Sequence, residues 1–434
     1  MNKLAEIVLL KGKSFVKGTS ILRGFPVILI VYISPLFAQQ RIDSSITTEQ
    51  ILALPEGEID VGLADLVLAR DFYANLKIEQ FLVIFDYMAN RFDHFFGHHT
   101  DPDQRVRALN TFLYRKGVWN DSITFGFDED DLQVTKLSNK FINGYLATKR
   151  GSCITLPMMY VILAERLGFP IFASRLPYHF FVRYNPEKKL TRFHENIEAT
   201  NGGAYTSNKQ YQKDFLVPNK AIKNGVYLRT LTKKEYVASL LLINSNEWIA
   251  RKNLDKARYY LELSMKYDST FSSAFMNYAT IHLQEAIELE RKMDDEKQSE
   301  IAFYDIYAKN MARNQTSPSP QFPGSLQHMF KIPEPDFSAF QIHIEDNLTK
   351  MNTSKQNQPL PEPTPPALLS VNPELQMSLA EITSRYVLLI QKKLAVYKRY
   401  KERAEELGIV RDYPMSFFQV QSNSLKQFQE KGVK

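Results

Sequence analysis

Residues 143–157 read NGYLATKRGSCITLP and contain the chain's only cysteine, Cys153, between two stretches with helical patterns of apolar residues. We expect a helix over residues 134–148, a tight glycine turn, and a second helix over residues 153–167. Pro157 fits the first turn of the second helix, because its missing N–H would otherwise bond the carbonyl of Cys153. The pattern therefore places a thiol at or beside a helix N-terminus.

A thiol in that position has two interpretations. The unpaired N–H groups of a helix N-terminus carry about half a positive charge, which favours a thiolate with a pKa lowered from about 8.5 to ~3.5–7.5. Lys149 and Arg150 add positive charge nearby. In the alternative interpretation, Cys153 is a small buried apolar residue, as free cysteines commonly are. One cysteine excludes an intrachain disulfide and any zinc site built on several thiolates.

A polar break at residues 185–189 separates two β-rich stretches, Phe180–Tyr184 and Leu190–Thr200, and predicts a hairpin. His179 begins the first strand, and Glu198 returns on the second to within a few positions of it. A carboxylate there would accept Nδ1–H of the imidazole, fix its tautomer and stabilise the imidazolium. Four polar residues share one face of the returning strand by its two-residue period: Arg192, His194, Asn196 and Glu198.

The polar candidates each have a structural alternative. His179 is otherwise a packed or surface histidine, Glu198 is otherwise a solvated carboxylate, and His194 is the second choice of base. Asn139 and Asn143 are four residues apart on the preceding predicted helix, where they position the glycine turn, donate to an oxyanion, or simply cap the helix. We interpret three histidines as a solvated loop rather than a zinc site, and expect no metal: His94, His98 and His99.

Three motifs together resemble the bacterial transglutaminase-like superfamily. They are residues 143–153, the run Pro177–Arg183 around His179, and residues 196–203 around Glu198. More narrowly, the chain is similar to the branch with a helical N-terminal half and tetratricopeptide repeats after the core, over residues 55–285. The resemblance implies a papain-like thiol fold in which Cys153 is the nucleophile, His179 the base and acid, and Glu198 the orienting carboxylate. The usual acid of the family is aspartate, so glutamate is a departure.

The rest of the chain is predominantly helical. Residues 58–119 carry helical patterns, and residues 120–131 form a polar connector. From Leu240 the spacing is that of one good tetratricopeptide repeat and one degraded repeat, in which Arg291 replaces the packing alanine. Residues 314–373 hold eleven of the 21 prolines and predict an extended linker. A near-heptad helix follows, which we expect to fold back on the repeats rather than form a coiled-coil dimer.

The N-terminus has the order of a secretory signal: a basic segment, thirteen apolar residues from Phe25 to Phe37, and then Ala38. We expect export to the periplasm or secretion, with cleavage near Ala38. An uncleaved membrane anchor and a buried helix are the alternatives, although a membrane-spanning helix needs about 20 apolar residues. We expect membrane contact only through this signal.

Charge and motifs exclude several function classes. The formal charge of the whole chain is +6, but the first 38 residues hold five basic side chains and one acidic, so the remainder carries only +2. This removes the main support for nucleic-acid binding. The sequence has no phosphate-binding glycine loop, dinucleotide fingerprint or serine nucleophile elbow, so we expect no cofactor.

These observations predict an α+β fold: a helical N-terminal subdomain and a papain-like or transglutaminase-like core with an antiparallel sheet, then tetratricopeptide-like helices, a Pro-rich linker and a long C-terminal helix. The first function hypothesis is a cysteine peptidase, amidase or transglutaminase-like enzyme acting on a peptide or protein amide. The second is an inactive scaffold whose repeat helices and C-terminal helix bind a protein partner in the cell envelope. The predicted segments are the signal 1–38, subdomain 39–131, core 132–235, repeats 236–313, linker 314–373, helix 374–409 and tail 410–434.

Overall fold

The protein is represented by a computed structural model that describes residues 45–184, 196–314 and 372–409. The predicted signal, hairpin turn, Pro-rich linker and tail lie wholly or almost wholly outside the described residues, as do Arg192 and His194. Within the described part of the chain, no helix has the length and apolarity needed to cross a membrane.

Helices form most of the described structure, and short strands lie in its middle. The helices are α1 (Thr48–Ala53), α2 (Val61–Ala69), α3 (Ile78–Phe96), α4 (Pro102–Tyr114), α5 (Ile142–Thr148), α6 (Thr155–Leu167), α7 (Asn208–Asp214), α8 (Asn219–Lys223), α9 (Lys233–Ala250), α10 (Leu254–Tyr267), α11 (Ser272–Asn314) and α12 (Pro373–Leu407). The strands are β1 (Gly126–Phe127), β2 (Arg150–Gly151), β3 (Ile171–Leu176), β4 (His179–Tyr184), β5 (Asn196–Glu198) and β6 (Ala204–Tyr205).

Local capping explains where the N-terminal helices begin. The Asp60 side chain accepts a hydrogen bond from the Leu63 N–H at 3.0 Å and caps α2. Asp101 caps α4 in the same way, with Pro102 as the first helical residue, where its missing N–H costs nothing. These helices do not form a core of their own, because one apolar cluster runs from Ile51 on α1 to Leu263 on α10. The predicted boundary between subdomain and core is therefore not a boundary in packing.

The main sheet is antiparallel, with the strand order β3-β4-β5-β6. The predicted pairing of β4 with the returning strand is present, with Val182 opposite Ile197 and Arg183 opposite Asn196. Strand β3 was not predicted, and it pairs with β4 along six residues through a two-residue turn at Pro177-Tyr178. The charged residue Arg175, next to the last residue of β3, makes this strand difficult to recognise in the sequence.

The predicted helix over residues 134–148 is wrong in its first half. Val134 has a φ of +54°, a left-handed conformation that ends helical geometry, and a 3-10 turn occupies Leu137–Asn139. Helix α5 then begins at Ile142, whose N–H donates to the buried Asp65 carboxylate at 2.7 Å. Asn139 and Asn143 consequently do not share one helix face.

The predicted second repeat does not form a helix pair. Helix α10 ends at Tyr267, close to the predicted end at Asp268-Ser269, and Ala257 and Leu261 are fully buried. Helix α11, in contrast, runs for 43 residues without a turn and passes through Arg291. Within residues 233–314, α9 and α10 therefore form a helix pair, and a single long helix follows them.

Helix α12 lies antiparallel along α11. Residues later in α12 contact residues earlier in α11: Ser378 hydrogen-bonds Glu300, and Lys393 forms an ion pair with Glu285 at 2.7 Å. We call this helix pair the arm. At the end of α12, Leu407 joins the main apolar cluster and Asn224 on the segment after α8 donates to the carbonyl of Glu406.

Candidate active site

Cys153 lies in the turn between β2 and α6, two residues before the helix begins at Thr155 rather than on its first turn. Ser152 fixes this turn: its N–H donates to Thr155 Oγ1 at 3.0 Å, and its hydroxyl accepts from the Ile154 N–H at 3.0 Å. Gly151 is required by close approach, because a Cβ there would lie 2.3 Å from Thr155 Oγ1 and 2.5 Å from the Tyr145 ring. The tight packing of Gly151 and Ser152 therefore fixes the position of the cysteine.

Asn139 is hydrogen-bonded to the cysteine turn. Its carbonyl accepts from the Ser152 hydroxyl at 2.7 Å, and its amide nitrogen donates to Asp128 at 2.8 Å and to Asp131 at 2.7 Å. Both amide hydrogens are therefore used in this network, and they do not serve a developing oxyanion. Asn139 thus connects the cysteine turn to Asp128 and Asp131, and its role in positioning that turn stays a prediction.

Asn143 is buried near the start of α5, close to Tyr73 on the segment after α2. It lies beyond the 3-10 turn from Asn139, so the two asparagines face different surroundings. Asn143 does not cap α5, because the N-cap residue of that helix is Phe141.

His179 and Glu198 form a buried pair. Imidazole Nε2 lies 2.7 Å from Glu198 Oε2, and both side chains are fully excluded from solvent. The sequence prediction of a His179–Glu198 contact agrees with this geometry, although the predicted nitrogen was Nδ1. Because Nε2 faces Glu198, the other ring nitrogen, Nδ1, lies on the opposite side of the imidazole and is also buried.

Glu198 is held by three further hydrogen bonds. The Tyr211 hydroxyl donates to Oε2 at 2.7 Å, while the Thr200 hydroxyl and N–H donate to Oε1 at 2.7 and 3.0 Å. Burial opposes ionisation, but His179 and these donors together lower the pKa of Glu198 below its usual value. The carboxylate therefore remains an acceptor that fixes the histidine ring.

Two aromatic residues from α7 and its end complete the histidine's surroundings. The Phe215 ring stacks on the imidazole with centroids 5.2 Å apart, and the Tyr211 ring lies 6.5 Å away. Sequence reasoning missed both residues. The helical spacing of Tyr211 and Phe215, four apart, signalled one buried helix face but not what that face covers.

Helix α4 anchors the loop that carries the carboxylate. The Tyr114 hydroxyl donates to the carbonyl of Ala199 at 2.8 Å, and the Asn110 amide donates to the carbonyl of Gly203 at 3.1 Å. Gly203 has a φ of +76°, and a Cβ there would lie 1.9 Å from the Asn110 amide oxygen. Glycine is therefore needed at this position both for conformation and for space.

The thiol of Cys153 lies against the residues on both sides of His179. Sγ donates to the carbonyl of Tyr178 at 3.7 Å, and the Phe180 N–H is directed at the sulfur. Burial, followed by repulsion from Glu198, raises the pKa of Cys153 to about 12, although the two nearby N–H groups lower it in part. Desolvation therefore opposes the thiolate that the helix N-terminus favours, in agreement with the alternative interpretation of Cys153 as a buried residue.

Access to the thiol is restricted. Cys153 is 3% exposed, whereas Tyr178, whose carbonyl accepts from the thiol, is 49% exposed. Tyr178 has a φ of +57°, a left-handed conformation that is unfavourable for a residue with a Cβ. The residue that accepts from the thiol is therefore both strained and solvent-facing.

The predicted histidine-rich loop shows aromatic contacts rather than a ligand set. The His98 and His99 rings lie 4.1 Å apart, and His94 lies edge-on to Phe95. Among the described residues, no group of three or more histidine, cysteine, aspartate or glutamate side chains is arranged to hold a metal ion.

The architecture is a mixed helical and antiparallel-sheet domain with a cysteine before a helix and a histidine–carboxylate pair on adjacent strands. Residues 79–241 match the family model described as the transglutaminase-like superfamily. The chain therefore carries a transglutaminase-like domain, which covers less than half of its length and includes Cys153, His179 and Glu198. Neither the curated proteins nor the solved structures contain a match to this chain.

Proposed function

We propose that the protein is a thiol acyl-transfer enzyme that attacks an amide through Cys153, His179 and Glu198. The observation that carries this proposal is the fully buried His179–Glu198 pair at 2.7 Å, with the thiol against the residues before and after the histidine. A nucleophilic cysteine needs a base, and the base needs an orienting group. The matched transglutaminase-like domain supports the same chemistry.

In the first half-reaction, Sγ of Cys153 forms a bond to the carbonyl carbon of the amide as its proton passes to Nδ1 of His179. Since the resting thiol is neutral, this transfer accompanies attack rather than preceding it. Glu198, ionised and bonded to Nε2, stabilises the imidazolium that forms. The imidazolium then gives the proton to the leaving amine nitrogen as the C–N bond breaks and a thioester remains.

In the second half-reaction, water or an amine attacks the thioester carbon and loses its proton to His179. The C–S bond breaks, and the proton returns through Nδ1 to the sulfur of Cys153. Water gives hydrolysis, as in a peptidase or amidase, and an amine gives cross-linking, as in a transglutaminase. Because the thiol is only slightly exposed, we expect the substrate to reach it as a single extended peptide segment.

The test uses the full chain and p-nitrophenyl acetate, which acylates thiols without requiring a known peptide. We expect a burst of about one p-nitrophenol per chain and an acetyl group on Cys153, located by mass spectrometry. The Cys153→Ala variant controls for other nucleophiles, and urea-unfolded protein controls for a thiol without the fold. Equal rates from folded and unfolded protein would mean that the site does not activate the thiol.

A second candidate is a scaffold without catalysis, and the exposure of 3% and the raised pKa of Cys153 favour it. In this candidate the α9–α11 helices and α12 bind a protein partner in the cell envelope. It predicts that Cys153→Ala, His179→Ala and Glu198→Ala leave the cellular role intact, whereas deletion of residues 240–410 removes it. The enzyme proposal predicts loss of the role in the three point variants.

The setting of the reaction is also proposed from the sequence. The basic, apolar and small-residue order of residues 1–38 supports export to the periplasm or secretion, and a peptide or protein amide is the substrate. The branch with tetratricopeptide repeats remains the proposed relationship within the superfamily. Detection of a mature N-terminus near Gln39 in an extracellular or periplasmic fraction tests the proposed localisation.

A further inference from the structure

A pocket opens between α3, α5 and the segment that joins α4 to β1. Its volume is about 130 Å³, enough for one side chain, and its walls are largely aliphatic and aromatic. Two of the residues that line it are strongly exposed for their size: Tyr87 by 52% and Ile123 by 45%. Six of the residues that form the pocket and carry the argument are Ile84, Tyr87, Trp119, Ile123, Phe125 and Lys149.

Lys149 gives this apolar pocket a positive charge. It is half-buried, its ammonium lies 5.1 Å from the centre of the Phe125 ring, and it donates to the carbonyl of Leu146. Burial lowers the pKa of Lys149, and within the described part of the chain no carboxylate pairs with it. The other charges of the pocket, Arg91 and Asp121, form an ion pair at 2.8 Å and neutralise each other.

The pocket is connected to the thiol by a short, ordered stretch of chain. Lys149 is four residues before Cys153, so their Cα atoms are at most about 15 Å apart. Between them β2 pairs with β1, with Gly126 opposite Arg150 and Phe127 opposite Gly151. Since an extended peptide advances about 3.3 Å per residue, a side chain in the pocket lies within about four residues of the bond attacked.

We propose that this pocket binds a carboxylate-bearing residue of the substrate peptide, with Lys149 pairing the carboxylate and the Tyr87, Trp119 and Phe125 rings contacting the adjoining apolar part. The inference rests on the proposed function for the relation between pocket and thiol. The carboxylate belongs either to an aspartate or glutamate side chain or to a free C-terminus, and both present the same group to the ammonium.

The first test measures binding without catalysis, in the full chain carrying Cys153→Ala. A blocked hexapeptide with adjacent leucine and glutamate, its glutamine twin, and the glutamine twin with a free C-terminus are titrated by Trp119 fluorescence. A Trp119→Phe variant identifies the signal, because the chain has two tryptophans. We expect a peptide with a carboxylate to bind about tenfold more tightly than the blocked neutral twin.

Lys149 variants decide whether the charge is responsible. Lys149→Gln removes the tenfold difference, and Lys149→Glu reverses it in favour of a lysine-containing peptide, which a purely structural lysine does not predict. Arg150→Gln is the matched control, since Arg150 is the neighbouring, exposed cation outside the pocket. A preference that survives Lys149→Gln, or equal binding of the charged and neutral peptides, overturns the proposal.

The second test places the acidic residue one to six positions from a reactive p-nitrophenyl ester and measures acylation of Cys153 in the native chain. We expect the acidic preference up to about four positions and its loss beyond them. A flat profile overturns the proposed relation to the thiol. If no peptide acylates the thiol while the binding preference of the Cys153→Ala chain persists, the proposed function fails and the pocket stands.

Discussion

The sheet core and the arm both contain contacts between ionisable side chains, but in opposite surroundings. In the core, the side chains of the Arg175–Asp268 pair are 2% and 1% exposed, and those of His179 and Glu198 are fully buried. In the arm, Arg385–Glu296 is 54% and 37% exposed, and Arg291–Glu288 is 60% and 47% exposed. Water screens the exposed pairs of the arm. In the core, each side chain has lost its hydration, so the partner within the pair is what satisfies it.

The difference explains which contacts fix the site. Arg175 on β3 donates to Asp268 at 2.5 Å, to the carbonyl of Val226 at 2.8 Å and to the Ser239 hydroxyl at 3.1 Å. It thereby ties the strand before His179 to α9 and to the end of α10. Directional contacts of buried charges hold the strands in register, while the arm is held by a narrow apolar seam that includes Leu375, Ile382 and Ile390.

The largest expected effect comes from Glu198→Gln. The amide keeps one oxygen, which replaces either the acceptor of Thr200 or that of Tyr211, and it carries no charge to balance an imidazolium. The acylation rate of Cys153 therefore falls about 10³–10⁴-fold. Intact-mass measurement of acetylation follows the rate, and circular dichroism checks that the fold is retained. Acylation at the native rate would show that Glu198 has no part in the chemistry.

Asp268→Ala leaves the buried Arg175 guanidinium without its nearest carboxylate. We expect the free energy of unfolding in urea to fall by about 3–5 kcal/mol. A double variant, Arg175→Met with Asp268→Leu, removes both charges and recovers most of that loss. If Asp268→Ala lowers the free energy of unfolding no more than the arm variant Arg385→Gln does, burial does not distinguish the ion pairs of the two regions.

Asp65→Asn tests a buried charge through pH. Burial raises the pKa of Asp65 to about 7 from 3.8, although the Ile142 N–H lowers it in part, so the folded state binds its proton more tightly than the unfolded state. Stability from this group is full below about pH 3.8 and is lost as pH rises through about 7.

Asparagine keeps an acceptor for Ile142 and does not titrate. We expect the decrease in unfolding free energy between pH 5 and pH 8 to shrink by about 2 kcal/mol in this variant. Glu165, whose pKa burial also raises to about 7, retains its own contribution and serves as the internal reference. An unchanged pH profile would mean that Asp65 titrates normally in the folded protein.

Arg385→Gln is expected to have the smallest effect. It removes an exposed ion pair of the arm, and such pairs contribute little. The thermal midpoint should stay within error of the native protein, and the acylation rate of Cys153 should not change. A clear loss of stability would place the arm in the same energetic class as the core.

Local signals sufficed to predict the cysteine turn and the contact between His179 and Glu198. Gly151 and Pro157 indicated a turn before a helix, and the polar break at residues 185–189 indicated a hairpin that returns Glu198 to His179. The sequence did not predict β3, because Arg175 near the end of that strand requires Asp268, which lies 93 residues away. It also did not predict the neutral thiol, because the raised pKa of Cys153 comes from tertiary burial and not from the adjacent lysine and arginine.

The repeats show the opposite error. Spacing correctly placed Ala257 and Leu261 in a buried helix face, but it also suggested a turn within residues 272–313, where one helix continues. Neither glycine nor proline interrupts that segment, so local propensity allows the helix to continue. Packing against α12 then stabilises the long helix α11. Because α12 follows a long intervening segment, the repeat spacing of residues 240–313 contains no information about this contact.

The most direct measurement is the rate at which a small activated ester acylates Cys153 at pH 7 in the native chain, in His179→Ala and in His282→Ala. His282 is a matched control, being 7% exposed and located on α11. We predict one acyl group per chain at similar rates in the native and His282→Ala proteins, and at least a 10³-fold slower rate in His179→Ala. Equal rates in all three proteins would contradict the role of the histidine as the thiol's base.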